Sequence, residues 1–110
     1  MICAAAALED GGAGVRFPVA EGGPENGFVV RHRGAVHAYV NQCPHLGTEL
    51  DWQPGEFFDF ARIYLVCSTH GALFLPDDGH CIAGPCRGAT LRKLDVRERD
   101  GRVLLMQEEN

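Results

Sequence analysis

The sequence predicts an all-β protein, an antiparallel sandwich or barrel, on three observations. Short runs of β-branched and aromatic residues alternate along most of the chain, Gly- and Asp-centred turn signals separate them, and no segment keeps a helical period for three turns. The 14 glycines and 6 prolines among 110 residues suit a fold made largely of turns. That length is read as one domain, residues 1–110, with a single modest core.

Taken in order, "GVRFPVAE" (14–21) is a short alternating segment that Pro18 marks as an edge or strand end. "GFVVRHRGAVHAYVN" (27–41) holds two β-branched runs around Arg33-Gly34 and predicts a hairpin. "GTELDWQPGE" (47–56) has room for one helical turn. "ARIYLVC" (61–67) predicts a strand, and "GALFLPDDGHCIA" (71–83) a strand, a turn at Asp77-Asp78-Gly79 and a second strand. "ATLRKLDVRERDGRVLLMQ" (89–107) alternates on both sides of Asp100-Gly101, the strongest short hairpin signal in the chain.

Composition narrows the function classes. With 45% hydrophobic and 23% charged residues the balance is that of an ordinary globular protein. A formal charge of −5 argues against nucleic acid, which needs a basic face, and permits docking on a basic protein partner. The opening "MICAAAALED" lacks a basic n-region and meets Glu9 and Asp10 directly after its apolar run, so no export signal is expected. No run approaches the ~18 apolar residues of a membrane span. The expectation is a cytoplasmic protein away from the membrane, in a compartment where cysteines serve as ligands or thiols more often than as disulfides.

The chemistry is concentrated in two matched stretches. "NQCPHLG" places His45 two residues behind Cys43, and "VCSTHGALF" places His70 three behind Cys67, each with a glycine directly or closely after the histidine. Both fall where strands run out into turns, so two loops meeting at one end of the fold would bring Cys43, His45, Cys67 and His70 together. Thiolate and imidazole suit zinc, copper or iron–sulfur clusters, and not calcium or magnesium. A structural zinc-binding module is one reading of two cysteines and two histidines. Zinc fingers, however, usually group cysteine with cysteine, whereas here each loop supplies one of each. The other reading is a 2Fe–2S cluster with one iron on two thiolates and the other on two imidazoles. Two buried cysteines and two surface histidines in turns are the plain structural alternative.

C-P-H-L-G followed by C-x-x-H-G-A-x-F resembles the Rieske 2Fe–2S family, particularly its soluble ferredoxins. "CIAGPC" (81–86) is similar to the family's third, proline-containing loop, and "ATLRKLDVRERDGRVLL" to the strands that follow it. The resemblance covers about Leu8 to Leu105. It implies a Rieske-type fold with a small cluster-binding subdomain, built on loops at about 41–48, 67–72 and 81–87. It also implies one 2Fe–2S cluster per chain as cofactor, with Cys43 and Cys67 on the inner iron and His45 and His70 on the outer. Leu46 is in place to shield it from water, or is a plain turn leucine.

Departures from the family pattern carry their own expectations. Respiratory members link the two ligand loops by a disulfide; Thr48 and Thr69 stand at those positions here, which places the chain in the ferredoxin branch. High-potential members place a serine and a tyrosine after the second histidine where this chain has Ala72 and Phe74. The segment between His45 and Cys67 is longer than usual and carries Trp52, Phe57, Phe58 and Phe60, which either pack the insertion onto the domain or form a patch for a partner. Cys3, Cys81 and Cys86 are expected as thiols, with Cys81 and Cys86 able to pair under oxidation, and His32, His37 and His80 as surface residues.

The function implied is one-electron transport from a flavin- or nicotinamide-linked reductase to an oxygenase or another terminal acceptor. A redox-sensing or regulatory small subunit of an oxidoreductase complex is the alternative. Independent catalysis is not expected, because 110 residues leave no room for the mononuclear iron domain that follows such a domain in ring-hydroxylating oxygenases.

Overall fold

The computed structural model describes residues 1–44, 47–69 and 71–106. Ten short strands appear in chain order: β1 (Cys3–Ala4), β2 (Val15–Phe17), β3 (Gly27–His32), β4 (Ala35–Val40), β5 (Leu65–Val66), β6 (Leu73–Phe74), β7 (Cys81–Ala83), β8 (Lys93–Leu94), β9 (Val96–Arg99) and β10 (Arg102–Leu105). They form three antiparallel sheets, ordered β1-β10-β9, β2-β3-β4-β8 and β5-β6-β7. The one helical element described is a 3-10 turn at Ala5–Ala7. The all-β expectation holds, and 47–56, which has room for a helical turn, forms none.

The two hairpins with the clearest turn signals form as the sequence predicts. Arg33 and Gly34 have φ of 52° and 81°, and Asp100 and Gly101 have 52° and 73°. Two successive positive φ values give the turn twist that matches antiparallel strands. Gly27 pairs with Val40 and His32 with Ala35 in the first hairpin, and Arg102 pairs with Arg99 in the second.

The 89–99 segment departs from the single strand expected. Thr90 bridges His80, Lys93 and Leu94 pair with β4, and from Val96 onward the chain pairs with β10 in a different sheet. An alternating pattern assigns side chains to faces but names no partner strand, so a strand that changes sheets at Asp95 reads as continuous. The amino terminus also gains a strand, β1, whose Cys3 pairs with Val103.

The buried side chains fall into two clusters. One, with Leu8, Phe17, Val29, Ala38, Leu94 and Val103, lies between the two larger sheets. Arg31 ties these sheets at the edge, through two 2.9 Å bonds to the Glu98 carboxylate and donation to the carbonyls of Leu8 and Ala5. The other cluster runs from Phe28 and Tyr39 through Phe57 and Leu65 to Cys43, Cys67, Cys81 and Cys86. It joins the four-stranded sheet to the small β5-β6-β7 sheet, where the candidate loops emerge.

Candidate metal centre

The first loop leaves the end of β4, and the second spans the β5–β6 turn. The same backbone bracket closes both. Cys43 N–H donates to Thr48 O (2.7 Å) and Cys43 O accepts from Gly47 N–H (2.7 Å). Cys67 N–H donates to Ala72 O (2.9 Å) and Cys67 O accepts from Gly71 N–H (2.8 Å). Gly47 and Gly71 have φ of 74° and 68°, a left-handed turn that glycine adopts at least cost. Each cysteine thus sits at the base of a closed loop, nearly or fully buried at 1% and 0% exposure.

His45 and His70, with Leu46, lie outside the described residues. The structure brings Cys43 and Cys67 into one buried cluster. Among the described residues no three His, Cys, Asp or Glu side chains converge as a metal site. The described part of the donor set fits a Rieske-type cluster. Two thiols stand at equivalent points of two matched loops, and the third loop packs beside them.

The two loops also touch. Ser68 N–H donates to Leu50 O (3.0 Å), and the hydroxyls of Thr48 and Thr69 stand 3.3 Å apart. The two threonines noted from the sequence as occupying disulfide positions thus meet across the loops, joined by a hydrogen bond where a covalent link would sit.

Three residues not singled out in the sequence anchor the first loop. Asn41 is buried; its Oδ1 accepts from Leu50 N–H (2.8 Å) and its Nδ2 donates to Asp51 Oδ1 (3.0 Å). Asp51 also accepts from Gly55 N–H (3.1 Å) and pairs with Arg16 Nη1 at 3.5 Å, while another Arg16 nitrogen bonds Glu49. Asn41 thereby clips the loop's start to its end. A buried side chain with both polar atoms satisfied is stabilising; an unsatisfied one costs about 1–3 kcal/mol. The available signal was the position of Asn41 two residues before Cys43, which nothing in its own type distinguishes from a turn residue.

The insertion divides its aromatics. Phe57 is fully buried and stacks on Phe28, with ring centroids 3.9 Å apart and planes 10° from parallel. Phe58 is buried near His32, whereas Trp52, Phe60 and Ile63 are exposed. Packing onto the domain holds for two of the four aromatics.

The third loop carries the remaining chemistry. Cys81 and Cys86 are buried with their Sγ atoms 3.2 Å apart, beyond the bond length of about 2.05 Å of a disulfide. Burial, together with hydrogen bonding to Cys81 and the nearby Cys81 and Cys43, pushes the Cys86 thiol up to about 12. A Cβ on Gly84, whose φ is 97°, would stand 2.8 Å from the Ala72 Cα, so the loop seats directly on the second ligand loop.

The other histidines correct one expectation. His32 is buried and its Nδ1 lies 2.9 Å from Asp77 Oδ1, so it is a paired interior residue and not a surface one. His37 is partly buried, with Nε2 3.7 Å from the same oxygen, and burial holds its pKa below the ordinary value. His80 is exposed.

Comparison with known proteins follows the same lines. The family model described as the Rieske [2Fe-2S] domain matches residues 1–99. No curated protein matches the sequence. Among solved structures, a ferredoxin from Sphingomonas yanoikuyae B1 is 27% identical with a TM-score of 0.73, covering 97% of this chain and 96% of its own. The ferredoxin of carbazole 1,9a-dioxygenase from Nocardioides aromaticivorans IC177 is 24% identical with a TM-score of 0.75, covering 97% and 95%. A chain from a complex of reduced oxygenase and oxidized ferredoxin in carbazole 1,9a-dioxygenase is 22% identical with a TM-score of 0.74, covering 96% and 98%. No helix among the described residues is long and apolar enough to cross a membrane.

Proposed function

Since the chain belongs to the Rieske [2Fe-2S] domain family, we propose that it is a one-electron carrier whose cluster is held by Cys43 and Cys67 on one iron and His45 and His70 on the other. The observation that carries this ligand set is the repeated bracket, which gives two buried thiols the same position in two loops that touch. The bound cluster supplies reversible uptake of one electron. The protein supplies the rest. Its backbone fixes the thiols, and the core around Phe28 and Phe57 excludes water behind them.

The donor is a flavin- or nicotinamide-linked reductase and the acceptor an oxygenase or a similar terminal enzyme, with no nucleic acid and no membrane involved. A solved complex of a structurally similar ferredoxin with an oxygenase supports the acceptor, and a net charge of −5 supports a basic docking face on the partner. The chain itself performs no catalysis, and its place is the cytoplasm.

Purified protein should be coloured and contain two irons and two acid-labile sulfides per chain, with the EPR signal of a histidine-ligated cluster on reduction. Stoichiometric zinc without sulfide, in protein made under iron-replete conditions, would reject the reading in favour of a structural zinc module.

A further inference from the structure

The insertion between the two ligand loops leaves two of its aromatics in water, Trp52 at 57% exposure and Phe60 at 105%. Both line one open groove of about 600 Å³, together with Phe58 and Val66. Apolar side chains exposed singly need no explanation, but several around one groove mark a contact site.

Phe60 is held out by its turn. Asp59 N–H donates to Tyr64 O (2.8 Å) and Arg62 N–H to Asp59 O (3.0 Å). The Asp59 carboxylate accepts from the N–H groups of Ile63 (2.9 Å) and Tyr64 (3.2 Å). Arg62 completes the turn with a φ of 61°, a value that costs energy outside glycine and that these bonds offset. The turn is fastened to β5, because Phe58 forms an antiparallel bridge with Leu65 and Val66 N–H donates to Phe57 O (2.9 Å). A side chain presented on a pre-organised turn loses little further freedom on docking. Since β5 runs directly into Cys67, a molecule seated in the groove touches Val66, the residue before a proposed ligand.

Charge selects among the occupants. Glu56 and Asp59 stand along the groove, and with Phe58 and Arg62 they also border a smaller hollow that Glu9 lines. Three carboxylates thus accompany one guanidinium, and among the described residues no cation pairs with Glu9 or Glu56. A second copy of the chain would bring the same acidic border and a charge of −5 against it, which opposes self-association. A purely apolar small ligand would leave the carboxylates unused. A protein face that sets an apolar cleft between arginines or lysines satisfies both the rings and the carboxylates.

We propose that this groove docks a redox partner protein whose face carries an apolar cleft flanked by basic side chains, with Phe60 as the anchor. The inference rests on the reading of the chain as a one-electron carrier. Phe60 and Trp52 neither bind iron nor carry the electron; they set the encounter with the partner.

The test takes as partner each protein, purified from extract of the native cells, that exchanges electrons with the holoprotein. Stopped-flow second-order rate constants are compared for wild type, Phe60→Ala, Phe60→Leu and Glu56→Lys. Two controls lie elsewhere: Met1→Ala removes another exposed apolar side chain, and Asp95→Lys makes the same charge change between β8 and β9. Cluster spectrum and midpoint potential, measured on every variant, should stay close to wild type, so that a change in rate reports docking and not driving force. Phe60→Ala should slow transfer about tenfold, and Phe60→Leu should recover part of the loss. Glu56→Lys should slow it about threefold at low salt and flatten its salt dependence. The controls should match wild type. A wild-type rate for Phe60→Ala with every such partner, the cluster being intact, overturns the docking proposal and leaves the carrier reading standing. A wild-type dimer in sedimentation that Phe60→Ala dissociates assigns the groove to a second copy and overturns the proposal equally. Purified protein without iron–sulfide absorption, or an extract with no protein that exchanges electrons with it, overturns the carrier reading and the docking proposal with it.

Discussion

Histidine replacements separate ligands from structural residues. His32 fills a buried site against Phe58 and bonds Asp77 at 2.9 Å, and that bond is the main reason the Asp77 carboxyl lies below its ordinary pKa. His32→Ala should therefore cost about 1–3 kcal/mol, from a lost hydrogen bond and a small cavity, while iron content and visible spectrum stay intact. His45→Ala or His70→Ala should instead abolish or sharply reduce cluster assembly. Thermal melts and iron analysis on the same four proteins, with His37→Ala as the fourth, check both halves; equal loss of iron from all of them would show the ligand assignment to be wrong. The C-P-H and C-x-x-H-G patterns single out Cys43 and Cys67, and both are buried at matched points of two loops, the placement their proposed role as ligands asks for. The interior role of His32 was not legible, because it depends on Asp77 arriving from a turn far along the chain. Asn41 escaped notice for the same reason, since its two partners, Leu50 and Asp51, are fixed only once the loop has closed.

Among the elements, hairpins were the easiest to read and the third loop the hardest. Arg33-Gly34 and Asp100-Gly101 carry local instructions, whereas the seat of Gly84 on Ala72 and the change of sheet at Asp95 are tertiary events. The same division predicts what iron removal does. The β9–β10 hairpin is held by its own turn, by β1, by Arg31 on Glu98 and by the core beneath Val103. Among the described residues, the two loops are each closed by two backbone bonds, joined by one backbone bond and one pair of hydroxyls, and steadied at one side by Gly84. Lacking a covalent link at Thr48 and Thr69, they depend on the bound metal for part of their order. Removing iron should raise hydrogen exchange across 43–48 and 67–72 while leaving 96–105 close to the holoprotein rates. Exchange in both loops that did not respond to iron would contradict this.

For the molecule as a whole, the measurable consequence is redox poise. Cluster potentials follow hydrogen bonds to the sulfurs, net charge and solvent exposure. Ala72 and Phe74, both buried, stand where high-potential members of the family carry hydroxyl donors, and neither has a side-chain donor. The net charge of −5 opposes the arrival of a further electron. These effects add, and the expected midpoint lies near the low end of the Rieske range, about −150 mV. Such a value suits an acceptor of electrons from a flavin or nicotinamide-linked reductase and not an oxidant of quinol. Above neutral pH the imidazoles of the oxidised cluster should lose protons before those of the reduced one, because the extra electron holds the protons more tightly. Reduction then takes up protons, and the midpoint should fall further as pH rises. Protein-film voltammetry over a pH series measures both effects. A midpoint well above zero at neutral pH would remove the chain from the low-potential ferredoxins, and a flat pH response would argue against ligation by His45 and His70.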